Sequence, residues 1–205
     1  MTAIHKKDQY FYFIDLTSIF TALAMASLTN LEIQETLPKT WFLAKGSGNS
    51  DFGHEGGSKP EAFLDAGIGN CNIIDIGYSI PTHSREIPIP KIDTGCIMPA
   101  IISIAHGRQG DIISAGIAFA KLRNIDTGAF EDALLCKNTY SESNQYTRTK
   151  LLDQLNDLYF RRYDSDCYEL AHIRMIIQET FVSKKFGTAI VAVCFKALSY
   201  PVSGL

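Results

Sequence analysis

Histidines, cysteines and a glycine-dense segment are the first places where this chain could do chemistry. His54, His83 and His106 are separated by 29 and 23 residues, and neither HExxH nor HxH occurs. That spacing carries no metal-ligand signature, so these side chains read as structural or solvent histidines. Serine, histidine and aspartate are all present, but no GxSxG elbow exists to present a hydrolase nucleophile. Cys71, Cys96, Cys136, Cys167 and Cys194 are odd in number, and no two have CxxC spacing. This points to neither a disulfide framework nor a zinc site, and no metal is expected. Each cysteine sits beside apolar residues, where a free thiol packs as a small hydrophobe in a reducing, cytoplasmic setting. Residues 46–58, GSGNSDFGHEGGS, hold five glycines in thirteen positions. They lack the Gly-Lys-Ser/Thr close of a Walker loop and open no GxGxxG helix, so the segment reads as a mobile loop covering substrate or touching another subunit.

The frame that must position such residues is set by size and charge. A chain of 205 residues is long enough for one self-sufficient core. Nineteen Lys and Arg against 22 Asp and Glu give a net charge of −3, which argues against a nucleic-acid binder that neutralises many phosphates. A small molecule or a protein is the better partner. Residues 10–28, YFYFIDLTSIFTALAMASL, are the most apolar stretch, and Ala24-Met25-Ala26 imitates a signal-peptidase site at the end of residues 1–26. Asp15 opposes insertion by about 2.5–3.5 kcal/mol at a membrane centre. Residues 1–30 therefore read as an amphipathic extension, with a signal or membrane-associated segment as the other reading, and no membrane partner is expected.

The remainder, residues 31–205, reads as one domain. Thr40–Ala44 is a short β-prone run. PEAFLDA, residues 60–66, begins with a helix-starting proline and stops at Gly67. Apolar runs at Asn72–Ile76, Glu86–Ile89, Ile97–Ala105 and Ile112–Ala120 predict strands, with Pro81, Pro88 and Pro90 marking edges or connections. Residues 145–161 and 167–181 carry apolar residues at helical spacing, and Thr188–Leu198 is a dense strand signal. Strands, two helices and a closing strand give an α+β class.

One segment is far more specific. Residues 65–91, DAGIGNCNIIDIGYSIPTHSREIPIPK, resemble the pyruvoyl-dependent arginine decarboxylases, with their AGIGNxNLI strand, a Ser-Ser-Ile or Thr-Ser-Ile step, a proline and a downstream PxPK. Asp111–Ala118, DIISAGIA, is similar to the family's G-[DE]-x-I-S-A-A-I strand, and the likeness extends over residues 39–198. The resemblance implies a four-layer αββα sandwich assembled as a homotrimer or a dimer of trimers, with sites between subunits. It also implies a cofactor made from the chain. A serine hydroxyl attacks the preceding carbonyl, elimination breaks the chain, and the serine becomes a pyruvoyl group that accepts electrons when an amino acid loses CO₂.

Carried over residue by residue, the resemblance makes Asn72 a substrate-lining residue. Without gaps, Gly77 and Tyr78 flank the cleaved bond, and neither can undergo serinolysis. A one-residue insertion before the step and a one-residue deletion after it place Tyr78 before the bond and make Ser79 the pyruvoyl precursor; the alternative is a plain turn serine. At the position of the family's proton-donating glutamate, after Ala133–Cys136, stands Lys137. It could donate a proton, attract a substrate carboxylate, or simply cap a strand end in solvent, with Glu131 or Asp132 as replacement acids. Glu61 lies adjacent to the acidic residue that meets the guanidinium. Two functions follow from the resemblance: a self-processing decarboxylase of arginine or a related amino acid, or a cleavage-incompetent relative that binds a small molecule or assembles with an active paralogue.

Overall fold

The computed structural model describes residues 37–77 and 79–199, which fall in the compact unit Leu37–Ser199. The expectations for residues 1–30 and for Tyr78 lie outside the described residues. Strands β1 (Leu37–Ser50), β2 (Asn72–Asp75), β3 (Arg85–Glu86), β4 (Ile97–Arg108) and β8 (Phe186–Ser199) form a mixed sheet in the order β2-β4-β8-β1-β3. Strands β5 (Ile112–Asn124), β6 (Phe130–Tyr140) and β7 (Tyr168–Phe181) form an antiparallel sheet in the order β6-β5-β7. Helix α1 (Lys59–Asp65) precedes β2, and helix α2 (Asn144–Arg162) joins β6 to β7. The class is α+β, as the sequence predicts.

Alternation along the strands sends one set of side chains between the sheets and the other outward. Ile101, Val191, Val193 and Phe195 of the larger sheet meet Ile113, Ile117 and Phe119 of the smaller one. The outward set of the larger sheet, including Phe42, Ile190 and Cys194, packs with Ala62 of α1 and with Ala66 just after it. Ala118, Leu122 and Leu134 of the smaller sheet pack with Leu151, Leu155 and Tyr159 of α2. Burying each large aliphatic of this kind contributes about 1.5–3 kcal/mol. Ser143 starts α2 by accepting a hydrogen bond from the Tyr146 N–H, and Arg161 and Arg162 complement the dipole at its last turn.

Two expectations are corrected. Residues 46–58 are no mobile loop: β1 continues through Ser50, and His54–Ser58 make a single π-helical turn. The glycines are there for α1. A Cβ on Gly48 would stand 2.2 Å from the Ser58 carbonyl oxygen, and one on Gly46 would stand 2.4 Å from that of Ala62. Strand β3 pairs β1 only at Thr40 and Trp41. Beyond it, α1 covers the open edge: Ser47 N–H donates to Asp65 Oδ2 at 2.9 Å and Asn49 N–H to Glu61 Oε2 at 3.1 Å.

The second correction is β7, where helical spacing predicted a helix. Phe119 pairs Arg174 while Lys121 pairs Ala171, so His172 and Ile173 together oppose Ala120. His172 has a φ of 53°, a bulge that adds one residue and inverts the alternation beyond it. Leu170, Ile173, Ile176 and Ile177 then fall at i, i+3, i+6 and i+7, which mimics a helix. A single helix, not a pair, therefore precedes the closing strands.

Candidate active site

The segment that the resemblance singles out leaves the sheet at an edge. Strand β2 pairs with β4 in parallel and in unbroken register from Asn72–Ile97 to Asp75–Ala100. The Ile76 N–H continues the ladder by donating to the Ala100 carbonyl at 3.0 Å. Order of that kind leaves no room for an extra residue before Ile76. Gly77 follows with a φ of 117°, a conformation that side-chain-bearing residues rarely adopt. An inserted residue in this segment therefore has its natural place at Gly77 or Tyr78. Ser79 is exposed, and its hydroxyl makes no hydrogen bond among the described residues. Ile80 is buried between the two sheets, and the Pro81 carbonyl accepts hydrogen bonds from the N–H and hydroxyl of Ser84. The Ser79 step is thus held on one side by a β-ladder and on the other by a core side chain.

Lys137 belongs to β6, where it pairs with Ile117, and its side chain is only 13% exposed. Its Nζ donates to Asp75 Oδ2 at 2.6 Å, so the cation is tied to the strand that ends four residues before Ser79. Close by, the Ser103 hydroxyl donates to the Asn138 carbonyl at 2.8 Å, a second tie between the sheets. Lys137 is therefore no solvent-facing strand cap. Asp75 carries no signal in the sequence beyond interrupting the apolar run Asn72–Ile76; only the fold brings it to Lys137.

Asn72 stands at the start of the same strand. Its backbone N–H donates to the Cys96 carbonyl at 2.7 Å and its side-chain amide to the Gly95 carbonyl at 3.1 Å. It remains exposed, with its amide oxygen available. Cys71 and Cys96 lie beside this turn, and burial with the neighbouring Cys96 thiol pushes Cys71 up to about 11. Glu61 sits apart on α1, where one carboxylate oxygen serves the β1 edge; no contact among the described residues joins it to Asn72 or Lys137. Glu131 and Asp132 accept hydrogen bonds from the hydroxyls of Tyr168 and Tyr163 at the other end of β6.

Against known proteins, the model of the pyruvoyl-dependent arginine decarboxylase family matches residues 40–199. The chain belongs to this family. A pyruvoyl-dependent arginine decarboxylase of Methanothermobacter thermautotrophicus is 27% identical over 147 residues, 69% of this chain and 89% of that protein. The Pyrococcus abyssi decarboxylase is 29% identical over 68% of this chain and 87% of its own. That of Methanopyrus kandleri is 31% identical over 43% of this chain, a match that spans 56% of the relative's length.

Proposed function

We propose that this family member is a pyruvoyl-dependent amino-acid decarboxylase that processes itself between Tyr78 and Ser79 and acts on arginine or a related amino acid. The observation that carries the reading is Gly77. A strand with no irregularity up to Ile76 followed by a glycine at positive φ can accommodate a one-residue insertion before Ser79. The packing of α1, two sheets and α2 fits the four-layer αββα sandwich of this family. A homotrimer or dimer of trimers in the cytoplasm, with substrate sites shared between subunits, completes the reading.

The residues present fit a pyruvoyl group at position 79, since the Ser79 hydroxyl is exposed and without a hydrogen-bond partner among the described residues. Processing would move the Tyr78 acyl group from nitrogen to the Ser79 oxygen. Loss of the Ser79 α-proton then breaks the ester C–O bond and frees a carboxylate at Tyr78. The dehydroalanine left behind takes up water and releases ammonia. A pyruvoyl group supplies the electron sink for loss of CO₂. Lys137, held in place by its ion pair with Asp75, supplies positive charge for a substrate carboxylate and a proton for the carbon that loses it. Asn72 offers its amide oxygen to the substrate. Glu61 spends one acceptor site on Asn49, and a carboxylate retains others for a cationic side chain.

The Lys137–Asp75 pair also favours a second reading. An ion pair where the family has an acid, beside a step that without a gap would be Gly77-Tyr78, suits a relative that never cleaves and serves as a binding or assembly subunit. Denaturing mass spectrometry separates the two. Fragments ending at Tyr78 and beginning with a pyruvoyl group at 79, lost in Ser79→Ala, establish the enzyme. An intact 22.7 kDa chain overturns it.

A further inference from the structure

Cys71 and Cys96 are 25 positions apart in the chain and stand at the start of the β2–β4 ladder. In that ladder Ile73 is opposite Met98, and both pack on the α1 side of the larger sheet. Side chains return to one face every second residue, so Cys71 and Cys96 hold the next position on that same face of the two chains. Both join the same core cluster and are half-buried there. The backbones are tied around them: the Asn72 N–H donates to the Cys96 carbonyl and the Gly95 N–H to the Asn70 carbonyl, each at 2.7 Å. Paired strands stand about 4.7–4.9 Å apart, within the Cα separation of about 4.4–6.8 Å that a disulfide spans.

The two thiols also meet. Burial first, and then the Cys96 thiol as charge neighbour and hydrogen-bond partner, raise the Cys71 thiol, whose Sγ donates to the Ile68 carbonyl at 2.9 Å. Cys71 is thus the member of the pair that stays protonated. Cys194 belongs to the same cluster but is fully buried on β8, between β1 and β4, away from any oxidant in solution. Cys136 is buried against α2 in the other layer, and Cys167 lies in the exposed turn before β7. Among the described residues, Cys71 and Cys96 are the pair that is both adjacent and reachable.

We infer that Cys71 and Cys96 are a peroxide-sensitive pair that closes to a reversible disulfide. Cys96 reacts first, since its partner stays protonated. Its sulfur takes one oxygen from hydrogen peroxide, the O–O bond breaks, and the other oxygen leaves as water. The Cys71 sulfur then attacks the Cys96 sulfenic acid, gives up its proton and expels a second water. Two thiols are oxidised by two electrons, and the peroxide is reduced by the same two. The cross-link pins the turn from which Asn72 departs. In a chain broken at Tyr78-Ser79 it would also join the two pieces covalently, because Cys71 precedes the break and Cys96 follows it. Formation of the disulfide does not depend on that break.

For the test, the folded full chain is treated with stoichiometric hydrogen peroxide and quenched with catalase. Remaining thiols are then alkylated in denaturant and the peptides mapped by mass spectrometry. The expected main cross-link is a Cys71–Cys96 peptide pair, short of two hydrogens and separated by dithiothreitol, with Cys136 and Cys194 alkylated. The same treatment of the unfolded chain should lose that preference, which ties the link to the folded geometry rather than to thiol content. Cys96→Ser should abolish the link and Cys167→Ser should leave it unchanged. The wild-type map decides without any variant that could misfold, and it reads the same in a cut or an intact chain. Free thiols at both positions, oxidation to sulfinic acid without a link, or a dominant link of either residue to Cys167 or Cys194 would overturn the pairing.

Discussion

Lys137 and Asp75 are 62 residues apart in the chain and 2.6 Å apart in space, bridging the inner strand face of one sheet system to the edge strand of the other. A lysine so little exposed needs its counter-charge, whereas the half-exposed Asp75 can be rehydrated. Asp75→Asn is expected to cost about 1–2 kcal/mol in urea denaturation, more than Lys137→Met at the same site. The double variant should recover part of the loss. Independent, additive effects would show that the pair contributes nothing to the fold.

Gly77 is expected to resist substitution for conformational reasons alone, because a Cβ there would meet no atom within 4 Å. Gly77→Ala should destabilise by about 1 kcal/mol or more through its positive φ. In a self-processing chain it should also slow appearance of the fragments in a mass-spectrometric time course. Gly77→Asn should be no better than alanine, because asparagine tolerates φ near +60° and not the 117° of Gly77.

Gly48 is the opposite case, limited by space. Gly48→Ala drives a methyl into the Ser58 carbonyl and the Ala62 N–H, so α1 must move off β1. The expected loss is about 2–4 kcal/mol, with Gly56→Ala, where nothing lies within 4 Å, changing stability by less than about 0.5 kcal/mol. Thermal melts of the two variants make the comparison.

His106 gives a pH signature. Its Nδ1 bonds the Thr188 hydroxyl at 3.0 Å, and that hydroxyl bonds Ser58 in turn. Desolvation first, and then the His54 ring 4.6 Å away, hold its pKa below the ordinary 6.5. The unfolded chain therefore takes up this proton first as pH falls, so the contribution is present above pH 6.5 and is lost as pH drops toward the folded value. Denaturation between pH 7.5 and 5.5 should show stability falling more steeply in the native chain than in His106→Gln. Identical slopes would exclude His106 as a source.

The cysteines should separate by burial. Burial pushes Cys194 up to about 12 and Cys136 up to about 11, while Cys167 is exposed in the turn before β7 rather than packed as a core hydrophobe. Native labelling with a thiol reagent at pH 8 should modify Cys167 first and reach Cys136 and Cys194 only on unfolding. Equal rates across all three would contradict the layered packing.

What could be read in the sequence followed from strong local patterns. Helix α2 announces itself through Leu151, Leu155 and Tyr159, and β4, β5 and β8 through unbroken apolar runs. Strand β7 was hidden because one bulge residue, His172, shifts the alternation that identifies a strand. The β1 glycines read as a loop because their reason, the approach of α1, is tertiary. At the site, Lys137 was visible through the resemblance. Its link to Asp75 joins residues too distant in the chain for any spacing rule to find.

The five-strand order has a further consequence. Strand β2 lies at one edge of the larger sheet and β3 at the other, so the Ser79 segment spans its full width, about 19 Å for four inter-strand steps. Strand β1 is paired on both sides by strands that follow residue 79, and β2 pairs only with β4, which also follows it. A break at Tyr78-Ser79 would therefore yield an amino-terminal piece whose described strands, β1 and β2, pair only with strands of the other piece, so the two are interlaced strand by strand. Such pieces would separate only by unfolding and would travel through purification as a single particle.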